Sequence, residues 1–345
     1  MNLCEILHKE ELTKEEIIFL LNLNDKNDQQ KLFDSADEVR SIYCGDEVHL
    51  RGIIEFSNYC KQNCLYCGLR EDNYRLKRYR MAPEEIIETA HIISNLGIYT
   101  IVLQSGEDNY YDTDMISYII YQIKQNTNAV ITLSLGERSF DEYREWKIAG
   151  ADRYLLKHET ANHNLYLVYH KKQKLEDRLS HLRFLKTIGY QIDSGNIIGL
   201  PMQSVEDIAD DILLCKELDL DMAAFGPFIP SPDTIYKNKS AGDVDLTLRT
   251  MAAARIVLKK VHIPTITTLD DDGRIKGLTA GANVVMPDLT PSPYREQYQI
   301  YPNKKCIDDN PLNCKGCLQL QIESIGRKIS NSHGDSLKLT EQMKD

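Results

Sequence analysis

The chain has 345 residues, 42% hydrophobic and 27% charged, with 41 basic against 52 acidic side chains and a net charge of −11. That balance excludes a general nucleic-acid-binding surface, and no run of about eighteen apolar residues exists to form a membrane-spanning helix. The length suits one large α/β barrel or two smaller domains.

The first residues, Met1-Asn-Leu-Cys-Glu-Ile6, lack the basic-then-apolar layout of a secretion signal, so a cytoplasmic protein is expected. Its nine cysteines then serve as thiols or metal ligands rather than disulfides. Residues 1–45 read as a helical extension. Thr13 is placed to cap a helix, and Leu32, Phe33, Ala36, Val39 and Tyr43 recur near a 3.6-residue period. From Val48 the pattern alternates. Strands are predicted over 48–56, 100–104, 129–134, 153–157, 191–198, 222–225, 263–267 and 283–286, with amphipathic helical stretches between them. Eight such alternations predict a (β/α)8 barrel over 46–293, with a doubly wound open sheet as the alternative. Either fold puts its chemistry at the C-terminal ends of the strands. Residues 294–330 form a C-terminal extension carrying Cys306, Cys314 and Cys317. Residues 331–345 read as a polar, disordered tail.

The first predicted strand runs into Cys60-Lys-Gln-Asn-Cys64-Leu-Tyr-Cys67. Three thiols this close can converge on one soft centre. Tetrahedral zinc wants four protein ligands, and this loop holds no fourth Cys or His. A [4Fe–4S] cluster held by three cysteines leaves one iron open to a reactive ligand. Ser105-Gly106-Glu107-Asp108 follows the second strand, as a turn with solvated carboxylates or as an acceptor site for an ammonium group. Ser134 ends the third strand and Glu159 follows the fourth. Glu159 and Arg178 are, on their own, ordinary solvated charges.

The run Phe56–Cys67 resembles the signature of the radical S-adenosylmethionine (SAM) family. The resemblance implies a (β/α)8 TIM barrel of the radical SAM type, a [4Fe–4S] cluster on Cys60, Cys64 and Cys67, and SAM on the fourth iron. It implies that Tyr66 lies by the adenine, that Gly106 and Glu107 bind the SAM amine, and that Ser134, Glu159 and Arg178 complete the SAM contacts. Gly195-Asn-Ile-Ile-Gly199 resembles the family's glycine motif near the adenine. Longer runs, among them Ile101–Asp108, Ala149–Leu156, His158–Asn162 and Thr290–Arg295, resemble the branch of the family that matures [FeFe] hydrogenase. That branch implies an enzyme acting on a cysteine-derived or organometallic iron substrate inside the barrel. Its expected partners are the maturases HydG and HydF and a low-potential electron donor. Substrate contacts are implied at Arg153, Lys157, Thr267, Thr268 and Met286. Lys157 stands where that branch carries Arg, keeping the charge and losing the bidentate fork. Cys306, Cys314 and Cys317 are implied to hold an auxiliary [2Fe–2S] or [4Fe–4S] cluster, with zinc or reduced thiols as the alternatives. Methylornithine synthase and biotin synthase share the barrel and the three-cysteine motif. A non-catalytic iron–sulfur carrier is the competing reading outside enzymes.

Overall fold

The computed structural model describes residues 1–265, 271–302 and 311–338, without the side chains of 271–272 and 311–314. Its centre is a parallel sheet in the order β6-β5-β4-β3-β2-β1-β7. The strands are β1 (Glu47–Ser57), β2 (Thr100–Ser105), β3 (Val130–Ser134), β4 (Arg153–Leu155), β5 (Gln191–Ile198), β6 (Met222–Pro227) and β7 (Val284–Val285). Two isolated parallel bridges, Met222↔His262 and Pro264↔Val284, carry the ladder from β6 to β7 and close the ring. Of the stretch predicted as a strand over 263–267, residues 263–265 belong to this bridging segment and 266–267 lie outside the described residues, while the stretch predicted over 283–286 forms a two-residue strand. A short β8 (Lys328–Ile329) adds to the start of β1.

Period-2 geometry gives each strand two buried faces. Leu50, Ile54 and Phe56 of β1 join the main core with Ile86, Ala90 and Ile93 of the following helix. The lumen holds a separate cluster of Val102, Met222, Val284 and Met286, with Ile53 and Leu155 packed against it. Arg51 of β1 reaches across the lumen to Asp193 of β5 at 2.8 Å, and both are buried. Burial weakens both charges, pushing Asp193 up to about 6 and Arg51 down to about 10.

The N-terminal extension forms helices Leu3–Leu7, Lys14–Leu21 and Lys26–Cys44. Thr13 and Glu16 make a reciprocal capping box at the second. These helices pack on Val205–Glu217 and Val244–Leu258 of the barrel's outer layer. Among the described residues, no helix is long and apolar enough to cross a membrane.

The tail departs from the expectation of disorder: residues 331–338 are ordered against the N-terminal end of the barrel, while 339–345 lie outside the described residues. The cause is a set of buried polar groups that seek acceptors. Arg153 donates to the carbonyls of His333 (3.0 Å) and Gly334 (2.9 Å) and to the Asp335 carboxylate (2.8 Å). Thr100 Oγ1 donates to the His333 carbonyl at 2.8 Å, and the Ser336 amide donates to Gln191 Oε1 at 2.9 Å. This bears on the implied role of Arg153 as a substrate contact deep in the barrel. Its guanidinium is fully buried at the end opposite the cysteines, where the tail takes up its N–H groups in place of a substrate.

His49 lies in this base, and burial, reinforced by Arg51 and Arg153, pushes its imidazole down to about 4. The unfolded chain takes up this proton near the ordinary value of 6.5. Below that pH the unfolded state binds more protons, and the native state loses stability as pH falls towards 4, by up to about 3 kcal/mol from this group. Urea titrations at several pH values should show a flatter decline for His49→Gln than for the wild type. Equal slopes would show that His49 contributes nothing to acid lability.

Candidate active site at the C-terminal mouth

β1 delivers the chain into the cysteine loop, which its own side chains then fix. Asn58 Nδ2 donates to the carbonyls of Lys77 and Gln297, both at 2.8 Å, and its Oδ1 accepts from the Tyr79 amide. Arg78 donates to the carbonyls of Asn58, Leu69 and Arg70, gathering both ends of the loop. Arg80 forks onto Asp108 at 2.7 and 2.9 Å, and Ser57 Oγ donates to the same carboxylate. Arg78 and Arg80 are thus scaffolding for the cysteine loop and the loop after β2.

The three thiols are free and partly buried. Cys60 Sγ accepts from the amides of Gln62 and Glu107, and Cys67 Sγ from that of Leu69, each at 3.4 Å. Burial pushes all three thiols up, Cys67 to about 12. Uncoordinated, they are protonated; a positive metal centre is what would turn them into thiolates. Three thiols on one loop, two of them accepting backbone N–H bonds, fit an iron–sulfur cluster, whose ligands bind different irons.

Gly106 shows how tightly this end is packed. A Cβ there would lie 2.2 Å from the Tyr59 carbonyl oxygen and 2.7 Å from Cys60 Cβ. Glu107 is buried beside it and accepts from Gln62 Nε2 (2.6 Å), the Glu137 amide (3.0 Å) and Gln173 Nε2 (3.2 Å). A cleft of about 400 Å³ opens beside Gln62, Glu107 and Glu137. Arg178 reaches in from the helix Leu175–Thr187, donating to the Glu137 carboxylate at 2.6 Å and the Lys157 carbonyl at 2.8 Å. Ser134 ends β3, in register with Gln104.

Glu159 sits in the left-handed backbone region at φ 65°, a conformation that costs about 1–3 kcal/mol for a non-glycine residue. Its Oε2 is buried and makes no hydrogen bond, although Lys157 Nζ lies 3.2 Å away as an ion pair. Its charge is felt at Tyr66 and Cys67. A strained carboxylate with spare acceptor capacity suits a hydroxyl-bearing ligand. Tyr66 packs in an apolar group with Leu200 and Phe228 and meets His170 Nε2 at 3.2 Å. Gly195, in the motif placed by the adenine, has a nearer duty: a Cβ would lie 1.9 Å from the Ala224 carbonyl oxygen, so β5 and β6 need it glycine.

The fold therefore gathers Cys60, Cys64, Cys67, Tyr66, Gly106, Glu107, Ser134, Glu159 and Arg178 around one mouth. Lys157 joins them, bonded to the Asn196 carbonyl and turned to Glu159, and Met286 lies below in the lumen. Arg153 is excluded from this group. Thr267, Thr268 and Cys306 fall outside the described residues, as does the side chain of Cys314; Cys317 is exposed on the helix Pro311–Ser324. Sequence reasoning gave no role to Gln62, Glu137, His170 and Gln173, all tied to the cysteines or to Glu107. It also missed the luminal pair Arg51–Asp193, for which charges at inward period-2 positions of buried strands were the available signal.

A family model described as the radical SAM superfamily matches residues 54–215. The chain is 48% identical over 342 residues to the [FeFe] hydrogenase maturase subunit HydE of Thermotoga maritima, covering 98% of each chain. It is 30% identical over 284 residues to the 3-methylornithine synthase of Methanosarcina acetivorans, covering 81% of each. Among solved structures, methylornithine synthase (PylB) superposes with a TM-score of 0.81 at 25% identity, over 95% of this chain and 97% of that one. With a radical SAM fold, a three-cysteine mouth and near-complete alignment to a maturase, this chain belongs to the radical SAM superfamily of enzymes and, within it, to the HydE family of [FeFe] hydrogenase maturases.

Proposed function

We propose that the enzyme reductively cleaves SAM and directs the resulting 5′-deoxyadenosyl radical onto a cysteine-derived or organometallic iron substrate in the lumen. The step would belong to assembly of the diiron subcluster of [FeFe] hydrogenase, in the cytoplasm. The observation that carries the reading is the contact between the two loops: the Glu107 amide donates to Cys60 Sγ while Gly106 packs on Cys60. A ligand bound at Gly106 and Glu107 is thereby held against the open side of the cysteine loop.

Held by Cys60, Cys64 and Cys67, a [4Fe–4S] cluster would supply the electron that splits the sulfonium. The chain does the rest by positioning. Gly106 and Glu107 take the SAM amine, Arg178 its carboxylate, Glu159 its ribose hydroxyls with Ser134 beside them, and Tyr66 its adenine. Below them Val102, Leu155, Met222 and Met286 line an apolar lumen that keeps water from a reactive carbon radical. Lys157, Thr267, Thr268 and Met286 are our substrate contacts. HydG would supply the substrate, HydF would receive the product, and a low-potential carrier would deliver the electron. Cys306, Cys314 and Cys317 would hold an auxiliary cluster away from this chemistry.

Reconstituted, reduced protein should convert SAM to 5′-deoxyadenosine, measured by chromatography. No product from protein with intact cluster spectra would sink the enzyme reading and favour an iron–sulfur carrier. Cys314→Ala should lower iron content and retain SAM cleavage. Glu159→Gln should raise the SAM concentration for half-maximal rate about tenfold, the loss of roughly 1.4 kcal/mol from a charge-assisted bond. An unchanged SAM dependence would remove Glu159 from the ribose site. The 30% identity to 3-methylornithine synthase sustains a second reading. An assay for methylornithine formation separates the two.

A further inference from the structure

His170 was no part of the sequence-derived site, yet it touches two members of it. Its Nδ1 lies 3.5 Å from Cys64 Sγ and 3.3 Å from Gln173 Oε1, and its Nε2 lies 3.2 Å from the Tyr66 hydroxyl. The ring is buried and stacked on Tyr166, with centroids 4.2 Å apart and planes 8° from parallel.

The neighbours decide where the imidazole carries its proton. Glu107 Oε1 already accepts from the Glu137 amide and receives Gln173 Nε2 at 3.2 Å. A carboxylate can only accept, so the Gln173 amide presents its nitrogen to Glu107 and its oxygen to His170. A cluster-bound cysteine sulfur also only accepts. Nδ1 thus faces two acceptors, Gln173 Oε1 and Cys64 Sγ, and must itself be the N–H donor.

We propose that His170 is a positioning residue that places one shared N–H bond on the Cys64 sulfur of the bound cluster, with Gln173 linking that bond to Glu107. It rests on the reading above only in that Cys60, Cys64 and Cys67 hold a cluster. Cys60 and Cys67 receive their N–H bonds from backbone amides, whereas the bond on Cys64 comes from a side chain linked through Gln173 to Glu107. Hydrogen bonds to cluster sulfurs stabilise the more negative, reduced state and raise the potential. A shift of Glu107 on taking up a ligand would reach Cys64 through Gln173 and His170.

The test compares His170→Asn with His170→Gln in reconstituted protein without SAM. Asparagine sets its amide nitrogen near the Nδ1 position and keeps the donor on sulfur. Glutamine sets it near the Nε2 position, facing Tyr66, and leaves Cys64 without the bond. Redox titration followed by electron paramagnetic resonance should give His170→Asn a potential close to wild type and His170→Gln a more negative one. His170→Phe should match His170→Gln. If it fails to assemble a cluster, the two polar variants decide alone. Equal potentials for His170→Asn and His170→Gln would overturn the proposal. Because no SAM is present, a wild type that fails to cleave SAM would defeat the functional reading and leave this result standing.

Discussion

Replacing Cys64 with alanine should abolish 5′-deoxyadenosine formation and strip the reconstituted protein of its four-iron cluster. On the proposed reading Cys64 is the middle ligand, and the loop has no spare. Gln62, Asn63 and Leu65 beside it cannot act as soft anionic donors. Elsewhere among the described residues, Cys215 is buried on the helix Val205–Glu217 and Cys44 donates towards the Lys259 carbonyl. Among the described residues the nitrogen ligand beside Cys64 is His170, and its Nδ1 faces Gln173 Oε1. With two cysteines left, the cluster loses an anchored iron as well as its SAM-binding geometry. Iron analysis and electron paramagnetic resonance with and without SAM would check this. Cys215→Ala is the control, removing one buried sulfur at a cost of about 1–2 kcal/mol while leaving cluster and activity in place. Normal SAM cleavage by Cys64→Ala would remove the cysteine loop from the chemistry.

The features legible in the sequence share a property: each is local. The cysteine spacing, the Gly106-Glu107 turn and the strand–helix alternation are each contained within a few residues. What escaped depends on partners distant in the chain. His170 meets Cys64 across 106 residues, and a lone histidine carries no sign of its neighbour. Arg153 sat within one of the matching runs, Ala149–Leu156, and nothing local shows that carbonyls 180 residues onward would claim it. The tail Ser330-Asn-Ser-His-Gly-Asp335 has the composition of a disordered segment. It is ordered because buried donors in the barrel base need its backbone oxygens. Among the described residues the sheet between β6 and β7 is carried by single bridges at His262 and Pro264, and a proline cannot donate to a ladder.

Asp193→Ala should be the most destabilising single change in the lumen, at about 3–5 kcal/mol by urea unfolding. The substitution leaves Arg51 charged, 1% exposed and without its carboxylate. Replacing both residues, as in Arg51→Met with Asp193→Leu, should recover most of that loss, because the pair is held against a large desolvation cost. The shifts of both partners agree on this: burial raises Asp193 to about 6 and lowers Arg51 to about 10, so each is driven towards its neutral form despite the other. The sign for pH follows. A carboxyl whose folded pKa lies above its unfolded value stabilises the fold while protonated, and that contribution disappears as pH rises from about 4 to about 6. Asp193→Asn cannot ionise and should therefore lose less stability than Asp193→Ala at pH 7. Its stability relative to wild type should rise by up to about 3 kcal/mol over that interval. If Asp193→Ala and the double replacement unfold at the same urea concentration, the cost lies in lost volume, and the pair is not the source. Arg51 Nε, Asp193 Oδ1 and Thr132 Oγ1 are all buried without a hydrogen-bond partner. A lumen built only for stability would have used the hydrophobic pair. Retaining two charges with unspent donors and acceptors is the arrangement expected of a chamber that must also orient a polar guest.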